Sequence, residues 1–232
     1  MREIVLDTET TGLDPGTGDR VVEIGAVELV NGVATGASFH AYINPERDMP
    51  EAAFRVHGLS EQFLRTHPVF AQIVEEFVEF IGDDRLVIHN AEFDVKFLNA
   101  ELARLARPAL RPDRVLDSLM VARRKHPGAA NSLDALCARY GIDSSRRKKH
   151  GALLDAELLA EVYVELSGGR QSAFSLQTVE IRVEQVSLDL VTERSAPLKP
   201  RLTREDIASH EAFVAAIGEK AFWRKSGSGV LG

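Results

Sequence analysis

Ile4-Val5-Leu6-Asp7-Thr8-Glu9-Thr10-Thr11-Gly12 is the stretch that decides the fold. Three apolar residues read as a short buried strand that stops at a polar Thr/Gly break. Side chains two apart on a strand point to one face, so Asp7 and Glu9 aim at the same point. A buried strand is a costly place for unpaired carboxylates. A hard divalent cation relieves that cost, because it takes carboxylate oxygens as ligands. For an isolated D-x-E pair the plainer reading, a frayed strand end with both acids solvated, is the stronger one. The remainder of the chain has to decide.

Working outward, extended segments are expected over 4–7, 21–29 and 38–43. Asp14-Pro15-Gly16 and Asn31-Gly32 separate them, and the latter is a strong hairpin signal. Helical periodicity follows, with Val69, Ile73, Phe77 and Ile81 repeating at fours. Leu86-Val87-Ile88 reads as a short buried strand, and Val95, Leu98, Leu102 and Leu105 mark the helix after it. Val115-Leu116 is another short strand. Ser132 caps a helix through Tyr140, and a last strong helix runs from about Ala152 to Leu166. Three antiparallel strands followed by alternating helices and strands predict an α/β fold, a mixed sheet flanked by helices.

Ser167-Gly168-Gly169 closes that unit, so residues 1–168 form the predicted main domain. Residues 169–202 read as linker, with Ser195-Ala-Pro-Leu-Lys-Pro200 inside it. Residues 203–232 form a C-terminal segment. There Thr203-Arg-Glu-Asp206 is a capping box before Ile207, His210, Phe213, Val214 and Ile217, a short helix ended by Gly218. Phe222 and Trp223 follow. The helix either folds back on the main domain or offers its aromatics to a partner.

The 232 residues carry a net charge of −7, which argues against gripping nucleic acid through a broad basic face. It leaves room for an enzyme that meets phosphates through metal ions. The single cysteine, Cys137, excludes an intramolecular disulfide and points to a reducing, cytoplasmic setting. Its helical neighbours Leu133, Leu136 and Tyr140 make it a core residue. No apolar run has membrane-spanning length, and no signal peptide is expected before the first strand.

Two further acids stand out. Asp94 lies in His89-Asn-Ala-Glu-Phe-Asp94, between a strand and a helix. By itself it is most simply a helix N-cap. Asp155 lies inside the last helix, with Leu158, Leu159 and Val162 at three, four and seven residues beyond it. A carboxylate on an apolar stripe needs a cation or a donor. His150 stands five residues earlier, after the basic run 146–149. Four acids can share two divalent ions, the arrangement that stabilises the attacking and leaving oxygens of a phosphodiester displacement. A histidine, with an ordinary pKa of about 6.5, suits proton removal from the attacking water. There is no G-x-S-x-G, P-loop or Cys/His zinc pattern.

Asp7-Thr-Glu9-Thr-Thr-Gly, His89-Asn-Ala-Glu-Phe-Asp94 and His150-x-x-x-x-Asp155 resemble the three motifs of the DEDDh 3′–5′ exonuclease family, in order and over roughly the first 165 residues. The resemblance implies a ribonuclease H-like fold and two Mg²⁺ or Mn²⁺ ions. It implies Asp7, Glu9, Asp94 and Asp155 as metal ligands and His150 as general base. It also implies release of 5′-monophosphates from a DNA 3′ end. Val56-His57-Gly58-Leu resembles the family segment beside the terminal nucleotide, which implies His57 and Glu51 as substrate contacts, the latter with one residue of slack. Thr8 and Thr10 would line the nucleotide pocket partly through backbone groups. Ordinary loop roles for His57 and Glu51 remain the alternative.

Gln171-Ser-Ala-Phe174-Ser-Leu176 resembles a short motif that docks on a sliding clamp. The segment holding Phe213, Ile217, Phe222 and Trp223 resembles one that binds a polymerase catalytic subunit. Tethering raises the local concentration of nuclease at a primer end without tight DNA binding. Two other readings stay open, a free-standing RNA-trimming exonuclease of the same family and a bridging polymerase subunit.

Overall fold

A computed structural model of the chain describes residues 1–145, 149–168 and 202–218. It divides into two units, Met1–Leu176 and Gln177–Gly232. In the first, the described strands are β1 (Arg2–Thr10), β2 (Val21–Val30), β3 (Val33–Tyr42), β4 (Arg85–Ile88) and β5 (Val115–Asp117). They form one sheet in the order β3-β2-β1-β4-β5. The β1–β2 and β2–β3 pairs are antiparallel, whereas β4 and β5 join in parallel. This is the mixed sheet that the strand pattern predicts. The hairpin at Asn31-Gly32 has φ of 53° and 76° at its two central residues, the positive pair that matches the strand twist.

The helices of this unit are α1 (Glu51–His57), α2 (Glu61–Leu64), α3 (Phe70–Ile81), α4 (Ala91–Arg104), α5 (Ser118–Lys125), α6 (Leu133–Tyr140) and α7 (Ala152–Leu166). Alternation along β1 divides its side chains between two layers. Ile4 and Leu6 face α3 and α4, in a core with Phe77, Phe97 and Leu98. Val5 faces the other way, with Ala156 and Leu159 of α7. The second face of α7 buries Leu158, Val162 and Leu166 against Ala122, Leu136 and Cys137. Cys137 is thus the core residue that its helical spacing predicts.

The sequence pattern missed two kinds of element. β3 begins at Val33 instead of Ser38, because residues 33–38 are exposed on both faces of an edge strand and carry no apolar alternation. Helices α1 and α5 bury little besides His57, Ser118 and Ala122, so they show no apolar stripe. In the second unit, α8 spans Arg204–Ile217, capped by Thr203 and Asp206 bonding each other as the capping box predicts.

Besides its side-chain contacts, helix α7 meets the backbone of the sheet at Gly25. A Cβ at Gly25 of β2 would lie 2.1 Å from the Leu153 nitrogen and 2.2 Å from the Ala152 carbonyl carbon. Those are backbone atoms of the first turn of α7, and they cannot move aside as a flexible side chain would. Gly25→Ala is therefore expected to destabilise the fold by about 1–3 kcal/mol, as overpacking does. The measurement is the urea midpoint, and an unchanged midpoint would contradict this contact.

Candidate active site

The register of β1 explains where its acids point. Asp7 pairs with Gly25 and Glu9 with Glu23, and the ladder shifts between Glu9 and Thr10. Asp7 and Glu9 share the face of Val5, the side that α7 covers. Glu9 is buried and Asp7 half-buried. This is the plane in which the first turn of α7 sits on Gly25. Asp155, in that turn, is only 2 % exposed.

Ligand atoms of Glu9, His150 and Asp155 consequently lie within 4.8 Å of one another. His150 Nδ1 is 3.2 Å from Asp155 Oδ2. A carboxylate only accepts, so in the neutral ring Nδ1 carries the proton and Nε2 the basic lone pair. His150 keeps about half of its side chain exposed, at 48 %, which leaves it within reach of water. Its own N–H reaches the Val56 carbonyl of α1 at 3.4 Å.

Asp94 comes from the opposite layer. It is not the N-cap of its helix: Asn90 holds that place, with φ of 65°, and Asp94 lies inside α4, 4 % exposed. Thr8 Oγ1 donates to Asp94 Oδ1 at 2.6 Å. Thr8 stands between Asp7 and Glu9, so its side chain links Asp94 to the strand that carries both. Burial pushes the Asp94 carboxyl up from 3.8 to about 7, against the pull of the Thr8 hydroxyl, and the charge of Asp117 adds to the rise. Asp7 and Asp94 stand outside the Glu9–His150–Asp155 group.

The other expected contacts fall out unevenly. Thr10 Oγ1 donates to the Gly12 carbonyl, so both threonine hydroxyls give their proton to a protein partner. His57 is buried beside this site. Its Nδ1 accepts from Leu59 N at 3.0 Å, and its Nε2 is buried without a full hydrogen bond. Burial lowers the His57 pKa, which the Thr10 backbone partly offsets. Glu51 is exposed at the start of α1 and pairs with Arg55. Phe213 and Ile217 are exposed on α8. Gln171, Phe174, Leu176, Phe222 and Trp223 lie outside the described residues.

One residue was overlooked. Asp117 ends β5 and pushes on Asp94 electrostatically. The signal is present in Val115-Leu116-Asp117, an acid directly after an apolar pair, as Asp7 directly follows Ile4-Val5-Leu6.

A family model described as an exonuclease of RNase T type matches residues 4–163. The chain is 50% identical to the DNA polymerase III subunit epsilon of Rickettsia felis over 222 residues, 94% of this chain and 97% of that one. It is 45% identical to the subunit of the same name from Escherichia coli, over 96% of this chain and 97% of that one. Among solved structures, exonuclease X in complex with 5′-overhanging duplex DNA superposes with a TM-score of 0.58 at 23% identity, over 71% of this chain and 90% of that one. The nuclease domain of 3′hExo, a DEDDh family member bound to rAMP, superposes with a TM-score of 0.63 at 16% identity, over 72% and 91%. These two likenesses speak to the fold, which is of the ribonuclease H-like type expected.

The raised Asp94 carboxyl has a stability consequence with a definite sign. Its folded pKa lies above its unfolded one, so the contribution of Asp94 to the stability of the metal-free protein falls as pH rises from about 4 to about 7. Asp94→Asn should therefore raise metal-free stability above pH 7, by at most about 4 kcal/mol. The gain should vanish near pH 4. Denaturation curves without metal at pH 4 and pH 8 check this. An equal effect at both values would contradict it.

Proposed function

Because the chain belongs to the RNase T-type exonuclease family, among the DNA polymerase III epsilon subunits, we propose that it is a proofreading 3′–5′ exonuclease. It removes mismatched 3′-terminal nucleotides from DNA as 5′-monophosphates within the polymerase III complex. The observation that carries this reading is the meeting of Glu9, His150 and Asp155 from two layers, with Asp94 held against the same strand by Thr8.

Those side chains fit a hard cation. Glu9 and Asp155 offer buried carboxylate oxygens, and Asp94 is a carboxyl whose ionisation burial opposes until positive charge arrives. Asp7, Glu9, Asp94 and Asp155 would hold two ions, Mg²⁺ or Mn²⁺. When bound, such ions neutralise charge on the phosphodiester and on its leaving oxygen. The protein supplies the rest. Asp155 orients the His150 ring through Nδ1, and the opposite nitrogen takes the proton of the attacking water. The rim formed by His57 and the backbone of Thr8 and Thr10 receives the terminal nucleotide. A mismatched end frays more readily than a paired one, so a site for one unstacked nucleotide selects errors.

Tethering to the complex falls to the C-terminal segment. The exposed Phe213 and Ile217 of α8, with Phe222 and Trp223 beyond it, would bind the polymerase catalytic (alpha) subunit. Gln171, Phe174 and Leu176 would engage the sliding clamp. Among the described residues no helix is long and apolar enough to cross a membrane.

Asp7→Ala is expected to abolish nucleotide release from a mismatched 3′ end while circular dichroism shows the fold intact. His150→Ala should lower the rate by about 10²–10⁴-fold, the span of general-base catalysis, and flatten the pH–rate profile. Undiminished release by Asp7→Ala would overturn the assignment of ligands, and a faster rate on matched RNA than on DNA would favour RNA trimming instead.

A Phe213→Asp, Ile217→Asp double variant of the full chain should fail to co-elute with the catalytic subunit, yet digest a free oligonucleotide normally. Co-elution like that of the unaltered chain would place the docking surface elsewhere.

A further inference from the structure

We propose that Asp117 is a positioning residue for the nuclease reaction, aiming Asp94 by holding the turn from which α4 starts; this rests on Asp94 being a metal ligand. Asn90 lies in the left-handed region, at φ of 65° and ψ of 52°, between the end of β4 and the first turn of α4. A residue other than glycine adopts that conformation at a cost and needs its surroundings to hold it there. No side chain caps α4 at this point.

Asp117 supplies the hold. Its Oδ1 accepts from the Asn90 N–H at 3.1 Å and from the Leu119 N–H at 2.9 Å. One oxygen thereby ties the strained turn to the first turn of α5. Ser118 adds to the same clamp, since its hydroxyl lies 3.2 Å from the Ile88 carbonyl and 2.9 Å from His89 Nδ1. Ile88 and Asp117 are also register partners in the parallel β4–β5 pair. The two strand-to-helix junctions are thus fastened side by side, and one of them carries Asp94 four residues downstream.

Both hydrogen bonds at Asp117 Oδ1 are accepted from backbone N–H groups, so what Asp117 gives this turn is an acceptor oxygen, and an amide, which keeps one such oxygen, should serve as well. A misplacement on the order of 1 Å at a reacting group can cost about 100-fold in rate, so a relaxed α4 turn has a measurable consequence.

The test is release of the terminal nucleotide from a mismatched primer as Mg²⁺ is varied, with circular dichroism as the check on folding. Asp117→Ala is expected to lose about 10–100-fold in rate and to need more Mg²⁺ for half-maximal activity, as loss of support behind metal ligands does. Asp117→Asn should stay close to the unaltered protein in both respects. Adding Asn90→Gly to Asp117→Ala should restore most of the rate, because glycine adopts the left-handed turn without strain. If Asp117→Ala does not fold, the double variant is measured in its place.

Asp94→Ala is the control. If Asp94→Ala is inactive while Asp117→Ala keeps its rate and Mg²⁺ dependence, the positioning role is overturned. It is equally overturned if Asp117→Asn is as poor as Asp117→Ala, or if a folded double variant is not rescued. An active Asp94→Ala would instead overturn the reading of Asp94 itself.

Discussion

The contact between Gly25 and the first turn of α7 is the constraint on which the site depends. Helices usually rest on a sheet through a layer of side chains. Here backbone meets backbone, because position 25 has no Cβ to keep them apart. Gly25 pairs with Asp7, so this backbone contact of helix and sheet lies beside the first acid. The turn that approaches carries Asp155, and His150 immediately precedes it. Two motifs nearly 150 residues apart in sequence meet because one residue between them lacks a side chain.

The site pays for that closeness in charge. Glu9, Asp94 and Asp155 are all nearly inaccessible to solvent, and burial pushes the Asp94 carboxyl up to about 7. A fold stabilised for its own sake would not gather carboxylates under two helices. Unfavourable burial of this kind would be relieved if positive charge completed the set, as the proposed metal ligation requires. The supporting bonds serve the same end. Thr8 ties Asp94 to the strand of Asp7 and Glu9, and Asp155 orients the His150 ring. Arg20, bonded through two nitrogens to buried Glu101, anchors the far end of α4 to the start of β2.

The legible part of the fold was the part that buries an apolar stripe. Helices α3 and α7 and strands β1, β2 and β4 emerged from periodicity because each packs a hydrophobic face. The first half of β3, with α1 and α5, did not, since their residues are largely exposed and the tertiary contacts that form them leave no period. Asp94 shows a related ambiguity. An acid just after a strand is, on local grounds, a cap, and only the placement of Asn90 as the cap moved Asp94 one turn into the helix.

By itself the sequence determined the class of fold, the hairpin, the capped helix α8 and the identities of the acids, because strand and helix periods, turn chemistry and motif spacing are local properties. It also marked the carboxylates as belonging to one chemistry through their order along the chain. The tertiary structure decided which of them meet. Whether Glu9, His150 and Asp155 converge, whether Asp94 faces Thr8, and whether Glu51 turns away toward Arg55 depend on how α7, α4 and α1 lie against the sheet. That placement is set by contacts such as Gly25 with Leu153 and Asp117 with Asn90. Their partners are distant in sequence, and no local pattern encodes the distance between them.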